Sequence, residues 1–152
     1  MKILVINGPN LNNLGKRDKA YYGDLTLAKI YSLLKVEAKK LNCELEFFQS
    51  NHEGALIDFL QKESKNANGI LINPGALTHY GYSLYDGLVD ANLPIIEVHL
   101  SDIKIRKEVW RRKSVIKPIA IKQIAGKKEK SYLEGLIFLV KYIRSLNIKN
   151  FK

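Results

Sequence analysis

Residues 2 to 7 read KILVIN and run directly into Gly8-Pro9-Asn10. A compact apolar run of this length, cut off by turn residues, is the pattern of a short strand buried on both faces. The pattern returns at Cys43 to Gln49, where Glu44 and Glu46 alternate with apolar residues, and again at Gly69 to Asn73, Ile95 to His99 and Ile119 to Ile121. Helical spacing fills the intervals. Ile30, Leu33, Leu34, Ala38 and Leu41 mark one apolar stripe, and Ile57 and Leu60 mark a second. Ser50-x-x-Glu53 and Ser131-x-x-Glu134 predict capping boxes at two helix starts, the second of them for the last helix.

Strands alternating with helices imply a parallel sheet with right-handed crossovers, covered on both faces. The expected fold is therefore α/β, a flavodoxin-like three-layer sandwich whose five-stranded parallel sheet has the order 2-1-3-4-5. With 152 residues, 46% of them hydrophobic, the chain can bury the core of one domain. That domain is expected over residues 1–146, followed by a frayed polar tail at 147–152. The single cysteine, Cys43, forms no internal disulfide and suits a reducing compartment, so the expected location is the cytoplasm. The opening apolar run is too short for a signal-peptide core or a membrane span.

The formal charge of +10 raises the question of nucleic acid. The charge is uneven: residues 102 to 152 hold 15 basic and 4 acidic residues, and the rest is nearly balanced. Without interleaved aromatic and basic residues, this favours a solvated face or an anionic substrate over a nucleic-acid partner. His52, His79 and His99 stand far apart and one Cys supplies no closed zinc set, so no metal is expected. A phosphate loop fails on spacing, since Gly8 and Gly15 are separated by six residues and Lys16 is followed by Arg17.

Parallel sheets bind ligands outside the carboxyl ends of their strands. Strand one ends at Asn7-Gly8-Pro9-Asn10, strand three at Asn73-Pro74-Gly75-Ala76 with His79 beyond, and strand four at Glu97-Val98-His99-Leu100-Ser101. In the expected order these ends are neighbours and share one crevice. Arg17 precedes Tyr22 by five positions in the long segment from Gly8 to about Leu25. A tyrosine that acts as a base near neutrality needs about 4 kcal/mol of anion stabilisation relative to its ordinary pKa of about 10, which a nearby Arg can supply in part. The residues alone leave open whether Tyr21 or Tyr22 does this or packs a lid over a solvated Arg17. Glu97 and His99, two apart on a strand, share a face, so the carboxylate can orient the imidazole as a general acid. A satisfied histidine at a strand end is the other reading.

The order of short motifs narrows these choices. Gly8-Pro9-Asn10-Leu11-Asn12 with Leu14-Gly15 and Arg17, then Tyr22-Gly23, resemble the opening of type II 3-dehydroquinate dehydratases. Gln49-Ser50-Asn51 with Glu53-Gly54, Asn73-Pro74-Gly75-Ala76 with Thr78-His79 and Asp86, and Glu97 to Ser101 follow in the same order. The resemblance implies trans elimination of water from 3-dehydroquinate through an enolate, in the shikimate pathway, with no cofactor, Schiff base or metal. It implies Tyr22 as base, Arg17 as the partner of its phenolate, Asn10 as holder of a water at the enolate, and His99, oriented by Glu97, as acid. Asn73, His79, Asp86, Leu100, Ser101 and Arg111 would bind substrate, with Arg112 as the alternative to Arg111. A homododecamer built as a tetramer of trimers is also implied. Tyr80-Gly81, Tyr85, Asp102, Gly126-Lys127-Lys128 and one extra residue between Arg106 and Ser114 depart from the family pattern.

Overall fold

The computed structural model describes residues 1–16 and 18–149, with the backbone alone for Lys19, Tyr21 and 147–149. The elements run β1 (Lys2–Asn7), α1 (Lys19–Tyr22), α2 (Leu27–Lys40), β2 (Glu44–Gln49), α3 (Glu53–Glu63), β3 (Gly69–Asn73), α4 (Tyr82–Asp90), β4 (Ile95–His99), β5 (Lys122–Ala125) and α5 (Lys130–Lys149). The sheet is parallel throughout, in the order β2-β1-β3-β4-β5. This is the flavodoxin-like order expected from the sequence.

Side-chain alternation along the strands divides the core in two. Ile3, Val5, Leu71, Ile96 and Val98 meet α2 and α5 through Ile30, Leu34, Leu136 and Leu139. Leu4, Ile6, Ile70, Ile72 and Ile95 meet α3 and α4 through Leu56, Leu60, Leu84 and Leu88. Each such fully buried side chain stabilises the fold by about 1.5–3 kcal/mol. Leu71→Ala would remove about 2–5 kcal/mol, because it leaves a void as well as lost burial.

Several local expectations fail for identifiable reasons. The fifth strand is not Ile119–Ile121: Lys117–Ile119 forms a 3-10 turn, for which the fixed φ of Pro118 is suited, and the ladder starts at Lys122. Ile119 instead packs on the α3–α4 side of the core. Leu33 is 40% exposed, so it lies outside the buried stripe of α2. Neither capping box forms. Ser50 Oγ accepts from the His52 N–H, while Glu53 Oε1 reaches across to accept the Leu84 N–H near the start of α4. Ser131 Oγ accepts from the Lys127 N–H, and Glu134 pairs with Lys127 Nζ at 2.7 Å. The expected tail is helical in α5 as far as Lys149, and the rest of that expectation lies outside the described residues.

Candidate active site

At the carboxyl edge of the sheet, the loops after β1 and β3 meet backbone to backbone. Gly8 N–H donates to Asn73 O at 2.8 Å, and a Cβ on Gly8 would lie 2.1 Å from Pro74 O. Gly75 has φ +62 and faces Pro9 O, where a Cβ would lie 2.8 Å away. Glycine is therefore required at both positions, for space at Gly8 and for backbone conformation as well at Gly75. Asn10 also has positive φ, which Asn tolerates, and its N–H donates to Asn51 Oδ1 at 2.9 Å. Gln49 Nε2 donates to Gly8 O and to Asn51 Oδ1. The Gln49-Ser50-Asn51 motif thus braces the loop after β1.

These loops form one wall of a cleft also lined by Leu11, Tyr22, Ala76, His79, His99, Leu100, Ser101, Ile103, Arg106 and Arg111. Behind His99, the Glu97 side chain is fully buried and its Oε1 lies 2.7 Å from His99 Nε2. Thr78 Oγ1 donates to Oε1 at 2.5 Å, and Gln123 Nε2 donates to Oε2 at 2.7 Å. Ser114 Oγ accepts the N–H groups of Ile116 and Lys117, so its own proton is directed to Glu97 at 2.8 and 2.9 Å. Burial by itself would push the Glu97 carboxyl up. The hydrogen bond and charge of His99, with Thr78 and Ser114, outweigh burial and hold it below the usual carboxylate range. An ionised Glu97 only accepts, so His99 Nε2 carries a proton toward it and Nδ1 is left to exchange one.

His79 is fixed differently. Its Nδ1 lies 2.6 Å from the Lys113 carbonyl, which can only accept, and its ring meets Trp110 edge to face at 5.4 Å. Burial first, then the charges of His99 and Arg111, hold His79 below the ordinary imidazole range against the Lys113 hydrogen bond. A neutral ring with its proton on Nδ1 presents Nε2 to the cleft as an acceptor suited to a ligand hydroxyl.

On the other side, Tyr22 Oη accepts from Arg106 Nη2 at 3.2 Å, with the guanidinium carbon 5.5 Å from the ring centroid. Arg106 Nη2 also donates to Ser101 Oγ at 2.5 Å, tying the Tyr22 side of the cleft to the end of β4. Arg106 is the residue that sequence reasoning missed, because nothing in a run of basic residues marks which one turns inward.

Of the other residues singled out, Asn10, Asn73, His79, His99, Leu100, Ser101 and Arg111 reach the cleft together. Arg112 does not line it; its guanidinium holds the carbonyls of Arg106 and Lys107 at 2.6 and 3.2 Å. The longer segment holds one 3-10 turn, Val109–Arg112, and a second, Ile103–Ile105, lies just before it. Asp102 caps the Ile103–Ile105 turn through Lys104 N. Asp86 is exposed on α4 and is not among the cleft-lining residues of this chain. The assignment to Arg17 lies outside the described residues. Among the described residues, no three of His, Cys, Asp and Glu gather as a metal-binding group.

A tyrosine beside a guanidinium, sharing a cleft with a carboxylate-held histidine, is the equipment of an acid–base enzyme. Residues 1–140 match the model of the family Dehydroquinase class II. The chain is 54% identical over 140 residues to the 3-dehydroquinate dehydratase of Roseiflexus castenholzii, covering 92% of this chain and 88% of that protein. It is 49% identical over 139 residues to that of Caldicellulosiruptor saccharolyticus, covering 91% and 95%. The crystal structure of type II dehydroquinase from Butyrivibrio crossotus superposes with a TM-score of 0.88 at 45% identity, over 91% of this chain and 97% of that one. The chain belongs to the class II dehydroquinase family.

Proposed function

We propose that this chain, a hydro-lyase acting on 3-dehydroquinate in the shikimate pathway, performs the elimination with Tyr22 and His99. Tyr22 as phenolate takes a proton from the carbon beside the substrate ketone, giving an enolate. Arg106 donates a hydrogen bond to the Tyr22 oxygen, and Arg17 is assigned the task of holding the phenolate from the family resemblance. Asn10 holds a water at the enolate oxygen. His99, held by Glu97, protonates the departing hydroxyl, and the enolate collapses to the conjugated product, 3-dehydroshikimate. Asn73, His79, Leu100 and Ser101 hold the substrate hydroxyls, and Arg111 meets its carboxylate. No imine and no metal takes part.

The observation that carries this reading is the presence of Tyr22 with its guanidinium and the Glu97-held His99 in one cleft. The same cationic cleft would suit a protein that binds a small anion without turnover, and the two readings separate cleanly. Ultraviolet absorbance of the conjugated product should rise when protein meets 3-dehydroquinate with a chelator present, and should survive borohydride treatment. Tyr22→Phe should lower turnover by about 10²–10⁴-fold, the usual worth of a positioned base, while substrate still binds. Normal turnover in that variant would refute the base assignment, and no absorbance rise in the parent would leave anion binding as the function.

A cytoplasmic location and a homododecameric assembly belong to the same proposal. Asp86 would then meet substrate in an assembled particle; on α4 it shares an exposed surface with Tyr82 and Val89, which are 68% and 47% accessible. No helix among the described residues is long and apolar enough to cross a membrane. Light scattering of purified protein tests the assembly, and a monomer with full activity would exclude both the dodecamer and any need for Asp86 from another copy.

A further inference from the structure

We propose that Gln123 is a positioning residue for the proton on His99, acting through Glu97. Glu97 and Gln123 are partners in the β4–β5 register, so the parallel pairing places their side chains next to each other on one face of the sheet. Gln123 Nε2 lies 2.7 Å from Glu97 Oε2, and an amide nitrogen can only donate. Ser114 shares its single proton between both carboxylate oxygens, whereas Gln123 is directed to Oε2 alone. Glu97 is 0% exposed, so bulk water does not reach it to take over that task.

Two consequences follow from this donor. It fixes the carboxylate plane, and through the Oε1–Nε2 contact it fixes the His99 ring that lines the cleft. It also draws negative charge away from the oxygen that grips the imidazolium, so the proton leaves His99 more readily. With the donor removed, Glu97 is less well neutralised whenever His99 is neutral, and the protonated pair gains relative to the unprotonated one. His99 should then hold its proton to higher pH and surrender it more slowly. Among the described residues, the other ionisable groups that line the cleft with His99 are His79 beyond β3, Tyr22 of α1, and Arg106 and Arg111 after β4. Lys122 of β5 sits 4.4 Å from the Phe138 ring centroid and makes its contact with α5. All of these remain when Gln123 alone is changed.

The proposal rests on His99 as the acid, so the test follows the histidine separately from turnover. Gln123→Met keeps length and loses the donor; Gln123→Leu is a second variant with different packing, and both are checked for folding by circular dichroism. His99 is titrated by NMR in parent and variants, and the pH–rate profile is measured with 3-dehydroquinate. The expected result is an upward move of the His99 midpoint by roughly half a unit to one unit, with kcat reduced about 3- to 10-fold and KM changed less than about twofold. An unchanged midpoint in folded variants overturns the proposal. If the midpoint moves and the pH–rate profile does not, Gln123 acts on the pair as proposed, and it is the acid assignment of His99 that fails.

Discussion

Two polar assemblies sit at the carboxyl edge of the same sheet, and they are built on opposite chemistry. On the α3–α4 face, Glu97 carries a charge and gathers Thr78, Ser114, Gln123 and His99, and the group opens through His99 onto the cleft. On the α2–α5 face, Asn7, Tyr31, Tyr132 and Asn73 form a neutral network. Tyr132 Oη donates to Asn7 Oδ1 at 2.6 Å and accepts from Asn73 Nδ2 at 2.9 Å, while Asn7 Nδ2 donates to Tyr31 Oη at 3.0 Å. Tyr132 is fully buried. Both satisfy their buried groups, as burial demands. In the proposed mechanism the charged assembly also moves a proton, whereas the neutral one holds the strand ends and reaches the cleft only through Asn73, which cannot change its protonation. Satisfied burial alone therefore does not mark a catalytic group; access to the cleft and a group able to change protonation do.

If that division is right, perturbing each assembly should damage a different property. The largest effect is expected for His99→Ala, which should cut turnover by about 10²–10⁴-fold. Hydrogen exchange at the carbon beside the ketone should continue, because Tyr22 is untouched; exchange and water loss that both proceed normally would move His99 out of the chemistry. Next comes pH. Burial pushes Tyr31 up to about 12 against the opposing Asn7 hydrogen bond, and burial raises Tyr132 as well. A raised phenol contributes stability that is intact below pH 10 and is lost as pH climbs toward 12. Tyr31→Phe should remove on the order of 3 kcal/mol of that alkaline loss, read from urea midpoints across the range. Glu97, held low, behaves in the opposite sense: its contribution is present at neutral pH and is lost in acid, as pH falls through its lowered value. Last, Tyr132→Phe leaves Asn7 and Asn73 each short of a partner and should cost about 1–3 kcal/mol in urea unfolding, with kcat/KM changed only a few-fold. A loss of turnover as large as that of His99→Ala would show that the neutral network also shapes the chemistry.

Much of the architecture was legible because it depends on local pattern. KILVIN, GILIN and the run from Ile95 to His99 are buried strands whose polar ends needed no tertiary knowledge to find. The capping boxes were misread because Glu53 found a better use across space, near the start of α4. The fifth strand was misplaced because Ile119 and Ile121 signalled apolar character without specifying a ladder. That displacement hid Gln123, whose importance depends on the register opposite Glu97. Arg106 was hidden for a related reason: several arginines lie close together in sequence, and only the 3-10 turns decide that Arg106 and Arg111 face the cleft while Arg112 ties the loop together.

The sequence by itself determined the α/β class, the strand order, four of the five strands and the motifs that nominate Tyr22, Glu97 and His99, since hydrophobic period and motif order are properties of the chain. Only the tertiary structure decided which donors surround Glu97, that Arg106 reaches Tyr22, and that Asp86 faces outward, because hydrogen bonds between residues far apart in sequence depend on register and loop path, which composition and period do not encode.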